Sequence, residues 1–184
     1  MLAAGGGRRY GGPKALVRHG DSLLVERAVR TVRDGGCAPV VVVLGAAAAE
    51  VRATARLGDV TIVENQGWKS GMASSLRAGL EALAGTDADA AAVLLVDTPG
   101  VTSEAVRRVL AKSGRDALVA ATYGPRRGHP VLLGRDHWAG VATLASGDIG
   151  ARAYLTAWAG SVQTVPCDDV SDDTDMDFPD APNT

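Results

Sequence analysis

Short aliphatic runs alternate with amphipathic segments along this chain. The run at 40–44 is purely aliphatic, follows Pro39 and ends at Gly45, which is typical of a parallel strand buried on both faces. Similar runs predict further strands at 60–63, 91–96, 117–121, 130–133 and 161–165. The regular alternation of strands with intervening helices predicts an α/β fold.

Apolar residues in the intervening segments recur at helical spacing. In the segment 22–34 the predicted buried stripe consists of Leu24, Val25, Ala28, Val29 and Val32. Ser22 is the predicted N-cap of this helix, and Gly35 is its predicted stop. Further helices are predicted at 46–56, at 72–83, after a cap at Ser103, and at 149–158.

The composition narrows the class of protein. A length of 184 residues predicts a single domain, 1–184, and 46% hydrophobic residues with only 4% aromatics predict an aliphatic core. A net charge of −2 argues against a nucleic-acid partner, and no apolar run reaches the roughly 20 residues that cross a bilayer. Without a recognisable signal peptide, and with two widely spaced cysteines, the chain is expected to be cytoplasmic and to have no membrane partner.

Both ends of the chain are unusual. It opens at Leu2-Ala3-Ala4-Gly5, where a first strand should already be ending, although strands normally have about 5–6 residues. We therefore expect either a first strand reduced to a stub or a coding start placed too late. The tail 168–184 is acidic, and we expect it to contain a short ordered segment at most.

The glycine loop, residues 5–14, concentrates glycine and positive charge. Its five glycines allow the backbone to approach a ligand closely and to point N–H groups at phosphate oxygens. Its three cations, which include Arg9 and Lys14, suit a triphosphate. Two common phosphate motifs do not fit, because Tyr10 replaces the third glycine of a dinucleotide fingerprint and Pro13 the lysine of a P-loop.

Asp97 directly follows an aliphatic run. A carboxylate in this position lies at the carboxyl end of a parallel strand, the edge where open α/β sheets bind ligands. Magnesium typically takes one or two carboxylates together with substrate phosphates. Asp97 is therefore a candidate magnesium ligand, and an ordinary turn residue is the structural alternative.

Small and hydroxyl residues mark the start of the helix predicted at 72–83. Gly71, Ser74 and Ser75 lie where free backbone N–H groups suit a phosphate or a base carbonyl, and ordinary helix capping is the alternative. Asp148 precedes the helix predicted at 149–158, so it is either the N-cap of that helix or a ligand.

These segments resemble, in order, the motifs of the MobA-like NTP transferases, especially the molybdenum cofactor cytidylyltransferase branch. The segment 2–14 matches L-A-A-G-x-x-x-R-x-G-x-P-K, and the segment 65–76 matches N-x-x-x-x-x-G-M-x-x-S-L. D-x-P, G-H-P-V, G-D-x-G-A-R and D-x-D follow later in the chain. Tyr10, Thr98 and Phe178 depart from the family pattern.

The resemblance implies a Rossmann-like, three-layer α/β/α fold with a mostly parallel sheet, similar to the nucleotide-diphospho-sugar transferases. It implies catalytic roles for Arg9, Lys14 and Asp97, and Mg²⁺ held by Asp97 and Asp148. The residues expected to bind the nucleotide are Leu2, Ala3, Ala4, Gly5, Gly6, Gly7, Arg9, Lys14, Asn65, Gly71, Ser74 and Ser75.

The resemblance also implies an acceptor site at His129 and Arg152, while Asp175, Asp177 and Asp180 either close the site or order the tail. The expected reaction transfers NMP from an NTP to a phosphorylated acceptor of the molybdopterin type and releases pyrophosphate. CTP is the favoured donor and GTP a possible one, with a transient molybdoenzyme or chaperone as partner. An NAD(P)-dependent oxidoreductase of the nicotine-blue type and a nucleotide-binding module without turnover are the alternatives.

Overall fold

Helices cover both faces of a central sheet in the computed structural model, which describes residues 1–176. The strands are β1 (Leu2–Ala3), β2 (Arg18–His19), β3 (Ser22–Leu23), β4 (Val41–Leu44), β5 (Thr61–Glu64), β6 (Ala90–Val93), β7 (Leu118–Tyr123), β8 (Arg126–Gly134) and β9 (Gln163–Pro166). The helices are α1 (Leu24–Asp34), α2 (Ala48–Thr54), α3 (Met72–Ala84), α4 (Ser103–Leu110), α5 (Trp138–Leu144) and α6 (Arg152–Ala157). Within 1–176, no helix is long and apolar enough to cross a bilayer.

The short first strand joins the two halves of the sheet. β1 pairs in parallel with β4, which pairs in parallel with β5. On its other side, the Leu2 amide donates to the Leu94 carbonyl at 2.9 Å, and the Val96 amide donates to the Leu2 carbonyl at 3.1 Å. The sheet order is therefore β5–β4–β1–β6–β8–β7–β9, in which β8 runs antiparallel to both neighbours. The predicted mostly parallel sheet is confirmed.

Successive side chains of the buried strands point to opposite faces of the sheet, so each face has its own hydrophobic core. Val42 and Leu44 pack with α1, α2 and α4, whereas Val41 and Val43 pack with α3, α5 and α6. The whole apolar stripe predicted for α1 is buried. Each fully buried Val or Leu contributes about 1.5–3 kcal/mol relative to an exposed one. These two layers confirm the three-layer α/β/α arrangement.

The N-cap predicted for α1 is wrong. Ser22 pairs with His19 in the β2–β3 hairpin, so the helix starts later, at Leu24. The N-cap is Leu23, whose backbone amide donates to Glu26 Oε2 at 2.9 Å. The sequence signal for a cap is a hydroxyl residue, and here the carboxylate three residues downstream satisfies the cap amide instead.

The predicted cap of α4 is displaced by one residue. Thr102 Oγ1 accepts the Ala105 amide at 3.3 Å, so Thr102 and not Ser103 is the N-cap. β8 is also longer than predicted, because its first residues pair with the end of β7 across a tight hairpin. α6 starts later than predicted, because Gly147 and Gly150 adopt positive φ in the preceding turn.

Candidate active site

The glycine loop and the chain after β6 meet on the same side of the sheet. Lys14 Nζ lies 2.9 Å from Asp97 Oδ2, although 83 residues separate the two along the chain. The Lys14 side chain is 12% exposed and that of Asp97 is 24% exposed. The carboxylate and the ammonium group are thus largely withdrawn from water, where their interaction is stronger than at the surface.

A cavity of about 680 Å³, which we call the nucleotide cavity, opens between the glycine loop and the start of α3. The predicted residues that line it are Leu2, Ala4, Gly5, Gly6, Gly7, Arg9, Lys14, Gly71, Ser75, Asp97 and Asp148. Ala3, Asn65 and Ser74 do not line it, because Ala3 lies in the core and the Asn65 and Ser74 side chains bond to each other. The sequence did not single out Lys69 or Met72, which also line it.

The glycine loop folds back on itself, and this fold depends on the absence of side chains. The amides of Gly11 and Gly12 donate to the Gly7 carbonyl at 2.9 and 3.1 Å. Gly7 has a φ of +58°, and a Cβ there would lie 1.8 Å from the Gly12 oxygen. A Cβ at Gly6 would lie 3.1 Å from the Trp68 ring. The loop therefore tolerates no larger residue than glycine at position 7, and it leaves little room for a side chain at position 6.

Asn65 organises the other wall of the nucleotide cavity from within. Its Nδ2 donates to Ser74 Oγ at 2.8 Å and to Ser75 Oγ at 3.0 Å, and its Oδ1 accepts the Gly67 amide at 2.9 Å. Ser74 Oγ in turn donates to the Gly71 carbonyl at 2.9 Å. One buried amide thus fixes the loop 65–71 to the first turn of α3.

Asp148 caps a helix, but not the one that follows it in sequence. Its Oδ1 accepts the Met72 amide at 3.2 Å, at the start of α3, 76 residues away. Close packing accompanies this contact, because Gly71 has a φ of +107° and a Cβ there would lie 2.4 Å from the Gly147 carbonyl. The alternative in which Asp148 caps the following helix is therefore wrong, since the N-cap of α6 is Ala151.

The acidic residues of the nucleotide cavity fit a magnesium ion that is shared with phosphate. Asp97 and Asp148 both line the cavity, and each offers hard carboxylate oxygens. Across 1–176, no cluster of three or more His, Cys, Asp or Glu could hold a metal by itself. Two carboxylates without a full protein cage are what Mg²⁺ uses when substrate phosphates supply the remaining ligands.

A second cavity of about 530 Å³, which we call the acceptor cavity, adjoins the first. Both are lined by Leu2, Met72, Leu95 and Asp148, so ligands in the two cavities would meet at this common wall. The acceptor cavity is lined by both predicted acceptor residues, His129 and Arg152. Its volume is in the range of about 300–1,000 Å³ that is usual for small-molecule sites.

His129 presents a defined hydrogen-bonding edge. Its Nδ1 lies 3.1 Å from the Val93 carbonyl oxygen, which can only accept, so Nδ1 carries the proton of the neutral ring. Burial lowers the pKa of His129 below its ordinary value of 6.5, and the ring is therefore neutral near pH 7. Nε2 is consequently an acceptor.

The carboxyl-terminal segment supplies Asp173, which the sequence did not single out, and Asp175, one of the predicted tail aspartates. Asp173 and Asp175 both line the acceptor cavity, together with Arg126 and Arg127. No local pattern marks Asp173, because its polar partners lie 44 to 47 residues earlier in the chain. Of the predicted tail aspartates, Asp177 and Asp180 lie outside the described residues.

Comparison with known proteins places this geometry among nucleotide-handling enzymes. The model of the MobA-like NTP transferase domain matches residues 1–164. The chain is 41% identical over 185 residues to nicotine blue oxidoreductase of Paenarthrobacter nicotinovorans, covering 96% of this chain and 90% of that protein. It is 37% identical over 101 residues to a probable molybdenum cofactor guanylyltransferase of Opitutus terrae, covering 55% of this chain and 48% of that protein. Among solved structures, Rv0371c of Mycobacterium tuberculosis in complex with manganese has a TM-score of 0.79 and 26% identity, covering 95% of this chain and 90% of that one.

Proposed function

Because the chain belongs to the MobA-like NTP transferase domain family, we propose that it transfers a nucleoside monophosphate from an NTP to a phosphorylated acceptor of the molybdopterin type. The observation that carries this proposal is the contact of 2.9 Å between Lys14 and Asp97 at the edge of a cavity lined by the glycine loop. CTP is the donor we favour, and GTP is the other candidate. The relative named as a molybdenum cofactor guanylyltransferase supports an acceptor of this class.

The nucleotide cavity is suited to bind the triphosphate. Arg9 and Lys14 of the glycine loop line it together with Gly5, Gly6 and Gly7, so two cations lie where the phosphate oxygens would bind. Asp97 and Asp148 would hold Mg²⁺, which when bound neutralises charge on the phosphates. The manganese in the related structure is in keeping with a divalent ion at this site. Lys14 and Asp97 line the same cavity, so the ammonium group that contacts the carboxylate would also lie near the phosphates.

The proposed reaction is an in-line displacement at the α-phosphorus. An oxygen of the acceptor phosphate forms a new bond to this phosphorus, and the bond to the pyrophosphate oxygen breaks. The acceptor phosphate is already anionic, so no side chain has to remove a proton. Arg9 and Lys14 stabilise the negative charge that collects on the departing pyrophosphate.

The acceptor cavity orients the second substrate. His129 and Arg152 contact the acceptor there, and the wall shared with the nucleotide cavity brings the two reacting groups together. The proposal includes a cytoplasmic location and a transient molybdoenzyme or chaperone that receives the product.

An NAD(P)-dependent oxidoreductase is the second candidate function. It is favoured by the identity of 41% to the protein named nicotine blue oxidoreductase. Two adjoining cavities would serve hydride transfer as well as nucleotidyl transfer, because both reactions need two ligands in contact. The interrupted dinucleotide fingerprint at Tyr10 argues against this reading.

In the decisive assay the purified protein receives Mg²⁺ and molybdopterin with CTP or GTP and, in a separate reaction, NADPH with a quinone-type dye as hydride acceptor. Pyrophosphate release and nicotinamide absorbance are followed. We expect pyrophosphate release that requires both Mg²⁺ and molybdopterin. Asp97→Ala should lower it by about 10³-fold, whereas Asp89→Ala, at an exposed carboxylate 62% accessible, should not. Full activity of Asp97→Ala would refute the metal role. Oxidation of NADPH without pyrophosphate release would favour the second candidate, and binding without turnover would indicate a non-catalytic module.

A further inference from the structure

The segment 171–176 returns from the far edge of the sheet to the acceptor cavity and to the backbone of Asp97. The Met176 amide donates to the backbone carbonyl of Asp97 at 2.8 Å. The Asp172 amide donates to the Gly100 carbonyl at 3.2 Å, and a Cβ at Gly100 would lie 2.4 Å from the Asp172 oxygen. The segment therefore packs against residues 97–100, which include the proposed metal ligand Asp97.

Asp173 is the buried carboxylate of this segment. Its side chain is 3% exposed, and acidic residues are rarely so buried unless they are paired. The Arg126 guanidinium donates to both of its oxygens, and the His129 amide donates to Oδ2 at 3.3 Å. A Cβ at Gly128 would lie 1.7 Å from this Oδ2, so the carboxylate fits only because residue 128 has no side chain.

These contacts fix His129 from two directions. Asp173 holds its backbone amide, and the Val93 carbonyl holds ring atom Nδ1 at 3.1 Å. Both Asp173 and His129 line the acceptor cavity, together with Arg126. The orientation of the ring toward a ligand therefore depends on a residue 44 positions later in the chain.

We propose that Asp173 is a positioning residue of the acceptor site. Its carboxylate holds Arg126 and the His129 backbone in the wall of the acceptor cavity, and the segment 171–176 ties this wall to the chain at Asp97. The acceptor group that meets His129 Nε2 is then an N–H or O–H donor. This inference rests on the proposed nucleotidyl transfer to an acceptor in that cavity.

Two substitutions displace the carboxylate contact by different routes. Asp173→Asn removes the charge and keeps the size, while Gly128→Ala puts a methyl group where Oδ2 lies. The matched controls are Asp169→Asn, which breaks the exposed pair with Arg108, and Gly160→Ala, where a Cβ meets open space.

Steady-state kinetics test the proposal. We expect Asp173→Asn and Gly128→Ala to raise the KM for molybdopterin about tenfold, to change kcat by less than about threefold and to leave the KM for CTP unchanged. Both controls should behave as wild type. An unchanged KM for molybdopterin in a folded Asp173→Asn, or an equal rise of both KM values, would overturn the positioning role. If Asp173→Asn does not fold, Gly128→Ala decides by the same criteria.

A spectroscopic readout separates this inference from the proposed reaction. In ¹⁵N-histidine NMR spectra without substrates, wild-type His129 should show the Nδ1–H tautomer, and both test variants should show averaged tautomers. If the wild type releases no pyrophosphate, the proposed function fails, and these spectra alone decide on Asp173. Identical His129 signals in wild type and in both variants would then overturn the inference.

Discussion

The charged side chains of the site contact other groups of the protein. Lys14 contacts Asp97, Asp148 contacts the start of α3, and Asp173 contacts Arg126. Lys14, Asp97 and Asp148 were candidate residues from local patterns, and for Asp97 the position at the edge of the sheet could also be predicted. Their partners could not be predicted, because each contact joins positions at least 47 residues apart, and only the folded chain determines which carboxylate meets which cation.

His129 provides a prediction of pH dependence at this scale. Burial lowers the pKa of His129 from 6.5, so the unfolded chain binds more protons there than the folded chain as the pH falls. This histidine therefore makes the folded state less stable as the pH drops below its unfolded pKa. We expect His129→Gln to lose less stability than wild type between about pH 7.5 and about pH 5.5, as measured by urea unfolding.

The matched control is His19→Gln, in the β2–β3 hairpin. It removes an imidazole that lies outside the acceptor cavity and so measures the effect of a histidine substitution by itself. The same loss of stability in His129→Gln as in wild type would contradict the burial of a neutral ring.

At the scale of elements, the hydrophobic pattern predicted the strands better than the polar residues predicted the helix starts. The strands of the central sheet were predicted, because their aliphatic runs are buried in the two cores. The β2–β3 hairpin was not predicted, because its two-residue strands contain no such run. Helix starts were predicted less well, since Thr102 and Ser103 are adjacent hydroxyl residues and sequence alone does not identify the cap. The early part of β8 was missed because Arg126 and Arg127 lack strand character and pair only across the hairpin with β7.

The α4 cap gives a prediction at this scale. Thr102 Oγ1 accepts the Ala105 amide at 3.3 Å, so Thr102→Ala leaves a helix N–H group without its side-chain partner. We expect this change to lower the free energy of unfolding by about 1 kcal/mol, and Ser103→Ala to have little effect. Urea unfolding of both variants is the measurement. A larger loss for Ser103→Ala than for Thr102→Ala would show that the cap is misassigned.

At the scale of the whole molecule, the site lies where the two halves of the sheet join. β1 holds the halves together through Leu2, and Leu2 also lines both cavities. The α/β class and the ligand-binding edge followed from the sequence, since strands of a parallel sheet end at one edge. The acceptor cavity could not be derived from local patterns, because its walls come from β8, the turn before α6 and the carboxyl-terminal segment. These segments are brought together only by the fold.

The central claim is that the glycine loop and Asp97 together bind a metal-bound triphosphate. Its most direct test is Mn²⁺ binding, followed by electron paramagnetic resonance with and without CTP, in wild type, Asp97→Asn and the exposed control Asp89→Asn. Loss of a partner outside the first coordination sphere already weakens metal affinity by about 10–100-fold, so loss of a direct ligand should cost at least about tenfold. We predict that CTP-dependent Mn²⁺ binding is strong in wild type and Asp89→Asn and weakened in Asp97→Asn. Equal CTP-dependent binding of Mn²⁺ by Asp97→Asn and wild type would contradict the account.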